Sequence, residues 1–242
     1  MNPTQSASYP NRMLKPAFLP RIVCIFLCSC LGLCSCLGPA KIDKWVAHEY
    51  KDVPLTPDRK KSVDYISIKD TFPSMDQRYS TTEDKSGSLL PLIFYWHKNY
   101  IYPCTLNPQL QVNNFTNSFL AYAGSKRLKQ RLNGRRVEIS ISSIPHSFTL
   151  GDNDHMIWLI YAYEWSYIDL KPGTDDLVLS FRILQGSDEI KNGTITIPDA
   201  NKRVQLKMFQ SLRKMTYDYL DQYNENITAM TKKAVDRLIS EL

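Results

Sequence analysis

Between Arg136 and the last residue, Leu242, the apolar side chains change period once, and that change limits the folds open to the chain. Val137, Ile139 and Ile141 alternate with Glu138, Ser140 and Ser142, the period-two signature of a strand wet on one face and buried on the other. Leu177, Leu179, Phe181 and Ile183 repeat the pattern, and Gln185-Gly186-Ser187-Asp188 then turns the chain into a more polar strand from Glu189 to Ile197. From Asn201 onward the spacing becomes helical. Met208, Leu212, Met215, Tyr219 and Tyr223 are continued by Ile227, Met230, Ala234, Leu238 and Leu242 with no intervening proline, which predicts one long helix or two separated near Asn224 to Asn226.

Upstream, the apolar and aromatic stretch Leu89 to Tyr102 reads as a strand bent or bulged at His97, and Met156 to Leu170 reads as one long strand with large side chains on both faces. A strand of the second kind is usually central, covered by helices or by a partner. Asn113-Asn114 predicts the start of a helix running to about Leu132, stopped by Asn133-Gly134. Short connections imply hairpins, so the expected fold is α+β: an antiparallel sheet of about four to five strands with helices packed on one face, a two-layer sandwich over residues 90–242. Residues 36–89, with Pro54, Pro57, Pro73 and the charged Asp58-Arg59-Lys60-Lys61, read as a tether and peripheral segment. Within it Lys44 to His48 suggests a short helix and Val63 to Ile68 an early strand.

The first 35 residues have the order of an export signal. A basic region from Arg12 to Arg21 precedes an apolar run, Ile22 to Leu33, of signal-peptide length and too short to span a bilayer comfortably. Five of the six cysteines, Cys24, Cys28, Cys30, Cys34 and Cys36, lie in this region among apolar neighbours that suit neither zinc nor an iron-sulfur cluster. Leu33-Cys34-Ser35-Cys36 and Leu27-Cys28-Ser29-Cys30 resemble the box of bacterial lipoprotein signal peptides, which ends in the cysteine that takes up the lipid. Both place a Cys two positions before the modified one, a departure from that pattern. The resemblance implies lipid attachment at Cys36, with Cys30 the alternative, fatty acid such as palmitate as the modification, and a site in the cell envelope facing the periplasm or exterior, on the inner or the outer membrane. Met13 is a second possible start. Secretion, a retained anchor, or an extracellular eukaryotic protein using the sequons at Asn114, Asn192 and Asn226 are the other readings.

Lipid-anchored leader and element order together resemble the small envelope lipoproteins that accompany transporters, including ABC-transporter auxiliary lipoproteins. The likeness covers residues 90–242 in topology. It implies a non-catalytic accessory or interaction subunit with the membrane and an envelope protein as partners.

Composition excludes more than it assigns. The 30 basic and 24 acidic residues give +6, but Arg12, Lys15 and Arg21 precede position 36 and no acidic residue does, so 27 against 24 leaves +3 beyond it, with no cluster of the kind a nucleic-acid backbone requires. His48, His97, His146 and His155 stand in separate segments without HExxH spacing, so no metal or cofactor site is named. Gly151-Asp152-Asn153-Asp154-His155 reads as a turn, since it lacks the twelve-residue loop of a calcium site. Glu164 with Asp169 or Glu138 would be the carboxylate pair of an envelope hydrolase, but an odd spacing puts Glu164 and Asp169 on opposite faces of an unbroken strand. Cys104 with His97 has no supporting spacing, no GxSxG is present, and no catalytic residue is assigned. What stands out is an aromatic surplus: Tyr95, Trp96 and Tyr100 in one segment, Trp158, Tyr163 and Trp165 in another. Core packing under the terminal helix is the ordinary use of such rings, and beside it they are the candidate binding surface for a protein partner or, alternatively, a glycan or lipid ligand.

Overall fold

The computed structural model describes residues 37–55, 63–73, 75–91, 94–158 and 161–242, and the leader with its cysteines Cys30 and Cys36 lies outside them. Gly38–Leu242 forms one compact unit. The expected mixture of helices and largely antiparallel strands is present, but the strands number ten among the described residues and form two sheets, one of four and one of six, in place of a single sheet of four to five.

The four-stranded sheet takes the order β1-β5-β8-β9, with β1 (Ile66–Asp70), β5 (Arg136–Ser143), β8 (Leu177–Gln185) and β9 (Asp188–Ile197). The alternating residues Val137, Ile139, Ile141, Leu177, Leu179, Phe181 and Ile183 are all buried, as their period requires. β1 pairs β5 in parallel, Ile66 opposite Val137, which the sequence did not indicate.

The six-stranded sheet contains β2 (Tyr79–Thr81), β3 (Asp84–Leu90), β4 (Tyr95–Leu106), β6 (Ser147–Trp158), β7 (Ala162–Pro172) and β10 (Val204–Gln205). Two readings are corrected here. Leu89 to Tyr102 is the turn and arms of a hairpin, β3 to β4, whose reversal is assisted by Phe94 at φ 44°, and the register runs through His97 without a bulge. Met156 to Leu170 is likewise a hairpin, with Trp158 opposite Ala162, so Gly151 to His155 is strand and not turn.

A layer of helices joins the two sheets. Helix α1 (Pro39–Glu49) buries Ile42 and Val46, and the following Tyr50 hydroxyl donates to Asn224 Oδ1 at 3.0 Å while accepting from Gln111 at 3.2 Å. Arg78 locks the exit of α1 by donating to the carbonyls of Tyr50 and Val53. Residues before 90 therefore supply a core helix and three strands, where a peripheral tether was expected. Helix α2 (Pro108–Ser125) starts five residues before the expected Asn113, because Asn107 caps it by accepting from Gln109 N and Pro108 fits its first turn. Helix α3 (Leu128–Leu132) ends at Asn133 and Gly134, both at positive φ, as anticipated.

Helix α4 (Leu212–Ser240) is continuous through Asn224 to Asn226. Ser211 caps it, and Met215, Tyr219, Tyr223, Ile227, Met230, Ala234 and Leu238 form its buried stripe. Tyr219 packs on Phe148 of the six-stranded sheet with ring centroids 5.6 Å apart, and Arg237 donates to the Thr196 carbonyl of the four-stranded one.

If α1 is part of the core, Ile42→Ala in the full chain should lower the unfolding free energy by about 2–4 kcal/mol. Urea denaturation reads this directly; a loss below about 0.5 kcal/mol would mean α1 packs too loosely to matter.

Candidate functional site

Only the root of the six-stranded sheet lies against the helices. Tyr102, Cys104, Phe148, Leu150 and Leu170 are buried there, whereas all of β3 and residues Ala162 to Tyr167 of β7 are exposed. The outer parts of β3, β4, β6 and β7 thus form a four-stranded ribbon not covered by the helices, its edge strands exposed and its central strands β4 and β6 partly so, with Asn153 buried.

Register assigns every side chain on this ribbon to a face. One face carries the rows Leu90, Tyr95, Ile157, Tyr163; then Ser88, His97, His155, Trp165; then Ser86, Asn99, Asn153, Tyr167; then Asp84, Ile101, Gly151, Asp169. The other face carries Leu89, Trp96, Met156 and Glu164, then Lys98 and Asp154, then Tyr100 and Asp152, with Trp158 near the tip. The expected binding residues are consequently divided. Tyr95, Tyr163 and Trp165 share the first face, and Trp96, Tyr100 and Trp158 the second.

On the first face the rings form a stacked rank. His97 and His155 lie 4.4 Å apart with planes 12° from parallel, and His155 and Trp165 lie 5.1 Å apart at 5°. These spacings are close to the separation of neighbouring strands, so the rings stand upright on the sheet and lean on one another. Tyr95 and Tyr167 flank His155 diagonally, and the Tyr95 hydroxyl is 2.8 Å from His155 Nδ1. Two of the histidines that looked unrelated in the sequence are therefore neighbours. Their signal was available only as the equal displacement of both from the root of the β4–β6 pairing.

At the root of that face Asp169 is fully buried. Its Oδ2 meets the Arg203 guanidinium and lies 3.5 Å from Lys171 Nζ, and a Cβ at Gly151 would come within 2.6 Å of its Oδ1. Glycine at 151 is what leaves room for the carboxylate. Arg203 in turn fastens the segment that carries β10 along the lower edge of β7.

The second face is charged near its root. Asp152 is half-buried, and desolvation, with a further contribution from Asp154, pushes its carboxyl up to about 6. Lys98 Nζ sits 4.1 Å over the Trp96 ring, shielding one face of it.

None of the enzyme arrangements assembles. Glu164 is exposed on the second face, Asp169 is buried on the first, and Glu138 belongs to the other sheet, where Arg182 pairs with it. Cys104 and His97 fall on opposite faces of β4, and burial pushes the Cys104 thiol up to about 12. No group of three or more His, Cys, Asp or Glu is placed to hold a metal ion among the described residues. Asn114 and Asn226 lie in helices with their amide nitrogens donated to the Asn224 carbonyl and to Asn201 Oδ1, a setting unlike the surface loop an acceptor sequon implies. A depression of about 570 Å³ between β10 and α4 is lined by Arg203, Lys207, Asp218 and Tyr219, but Arg203 is engaged by Asp169 and Asp218 by Lys214. No helix among the described residues is long and apolar enough to cross a membrane. Comparison of the chain with protein families, with curated proteins and with solved structures finds no match.

Two outcomes follow. The folded chain keeps the Asp152 proton up to about pH 6 and the unfolded chain only up to its ordinary 3.8, so this group makes stability fall as pH rises through that window. Asp152→Asn should raise stability by about 1 kcal/mol at pH 7.5, a figure reduced for the group's partial exposure, and leave it nearly unchanged at pH 3.5, as urea titrations at the two pH values would show. Native alkylation followed by peptide mapping should leave Cys104 unmodified, with full labelling only after unfolding.

Proposed function

We propose that the chain is a non-catalytic, membrane-tethered accessory subunit of a bacterial cell envelope that docks a protein partner through the β3-β4-β6-β7 ribbon. The observation carrying this reading is the exposure of the ribbon's aromatic side chains: Trp158, Tyr163 and Trp165 are 58, 69 and 43% exposed, uncovered by the chain's own helices. Large aromatic side chains on a rigid, solvent-facing element are the usual anchors of protein interfaces. The leader supplies the second half of the proposal, lipid attachment at Cys36 with Cys30 as the alternative. Tethering would hold the ribbon near its membrane partners and raise their effective concentration.

A glycan ligand is less well supported. A sugar stacks on an open ring face, and here the faces of His97, His155 and the inner face of Trp165 are consumed by one another. The neighbouring amides offer little either, since Asn153 is buried and Asn99 Oδ1 is inaccessible. Open strand edges beside the rings suit a polypeptide better.

Crosslinking in native membranes of the proposed host, with mass spectrometry of captured proteins, tests both halves. A double Tyr163→Ala, Trp165→Ala chain should retain its fold and its membrane fractionation yet lose at least about 80% of the specific capture, as expected for interface anchors. Undiminished capture would remove the ribbon from the proposal. Replacing Cys36 together with Cys30 by Ser should release the chain from membranes, and an unmodified chain that still sediments with them would end the lipoprotein reading.

A further inference from the structure

The ribbon has two open edges, and they differ in chemistry. The outer edge of β3 carries Asp84, Lys85 and Gly87, charged and flexible residues of the kind by which proteins discourage edge pairing, with the exposed Leu89 and Leu90 toward its tip. The outer edge of β7 carries Ala162-Tyr163-Glu164-Trp165-Ser166-Tyr167, aromatic in alternate positions with a single charge. β10 protects β7 only at Asp169 and Leu170, and the last bond on that side is Leu206 N to the Ile168 carbonyl at 2.9 Å.

That bond also fixes which backbone groups remain free. The N–H and C=O of one residue in an antiparallel strand point to the same side, and sides alternate. With Ile168 facing outward, Ser166 and Glu164 also face outward, while Tyr163, Trp165 and Tyr167 bond to β6. The placement of Pro172, which has no N–H to give, on the outward-facing series agrees with this parity.

We infer that β7 pairs with β7 of a second copy of this chain, antiparallel, about a two-fold axis through Trp165. This rests on the reading of the ribbon as a docking arm and names its occupant. In this register Ser166 and Glu164 of one copy exchange both backbone hydrogen bonds with Glu164 and Ser166 of the other, giving four bonds. Trp165 meets Trp165 as a pair without hydrogen bonds, the type in which side chains approach closest. Tyr163 faces Tyr167 on either side of it, and such aromatic pairs stabilise a sheet.

Charge favours the same match, because each Glu164 carboxylate lies across from a serine and not from its own copy. The stacked rank His97, His155, Trp165 continues across the axis, from three rings to six. The root limits the register, because Leu206 already occupies Ile168 and so blocks moving the axis to Tyr167. The antiparallel arrangement places the two globular bodies at opposite ends of the joined ribbon, away from each other.

Ser166→Pro in the full-length chain, purified in mild detergent, separates this contact from the monomer's own fold. The Ser166 N–H faces outward, so proline there removes no bond to β6 while eliminating two bonds from the pair. Sedimentation velocity should show a dimer for the unaltered chain at about 100 µM, and for the variant a dissociation constant raised by about 100-fold with the thermal melt within a few degrees of the parent. Hydrogen exchange gives a second readout. The amides of Glu164 and Ser166 should slow at least about 10-fold as concentration rises, whereas Tyr163 and Trp165 should be protected at every concentration.

A monomer at 100 µM whose Glu164 and Ser166 amides exchange freely would overturn the second copy as occupant, and so would a Ser166→Pro chain that remained dimeric. If capture of an envelope protein in native membranes still depended on Tyr163 and Trp165, the docking arm itself would stand and only its occupant would change.

Discussion

The shared ladder of β4, β6 and β7 governs this molecule. Its inner third is fixed by packing, with Tyr102 opposite Leu150, Cys104 opposite Phe148 and Leu150 opposite Leu170, all buried. A slip of one residue at any of these pairs would turn apolar side chains out to water, so the register tolerates no alternative there. Because the same ladder runs on without a bulge to Tyr95, Trp158 and Ala162, the core dictates the position of side chains that have no core of their own. The meeting of His97, His155 and Trp165 is a consequence of Phe148 packing on Tyr219 of helix α4 and of Leu150 being buried in the same ladder.

A ribbon that the helices leave uncovered loses much of the hydrophobic term that usually holds a sheet together. What replaces it is lateral. Upright rings stack across strands at 4.4 and 5.1 Å, Lys98 covers Trp96, and Lys85 lies near Tyr100 on the same face. Each such contact is worth of the order of 0.5–1 kcal/mol, and several in one lattice suffice to keep the hairpins in register once the root is anchored. Asp169 adds a polar pin at the junction. Its burial opposite Gly151 is tolerated because Arg203 and Lys171 neutralise it, and removing either cation would leave a desolvated carboxylate.

Legibility in the sequence followed the same division between buried and exposed. Strands β5 and β8 and helix α4 each have one wet and one dry face, so periodicity identified them and most of their buried residues, although Met208, counted in the stripe, lies before the helix and is exposed. Asn133 and Gly134, and Gly186, carry the residue types that positive φ demands, and those stops were legible too. The two ribbon hairpins were not. Leu90 to Trp96 and Ile157 to Tyr163 are apolar on every position and contain no Gly, Asn or Asp, so each pair of strands resembled one long strand. Cover by helices or by a partner was the expectation for such a strand, and the chain's own helices do not supply it, since Ala162 to Tyr167 are exposed. The helix at Pro108 was missed for a simpler reason, since Asn107-Pro108 is a sound cap and first turn that the later Asn113-Asn114 overshadowed.

The contrast between the ribbon's two edges bears on what kind of cover that is. Selection against indiscriminate aggregation acts on any exposed edge strand, and β3 shows its mark in Asp84, Lys85 and Gly87. A liability shared by both edges would be expected to be blunted on both. The exposed part of β7, Ala162 to Tyr167, instead alternates Tyr163, Trp165 and Tyr167 with a single charge, Glu164. A ligand recognised by ring faces alone would not require that edge to stay open, since side chains on a face are indifferent to what the backbone at the margin is bonded to. An occupant that pairs with the backbone does require it, and on the proposed reading it would engage both the open bonds of Glu164 and Ser166 and the rings beside them, which is why that reading favours a polypeptide strand.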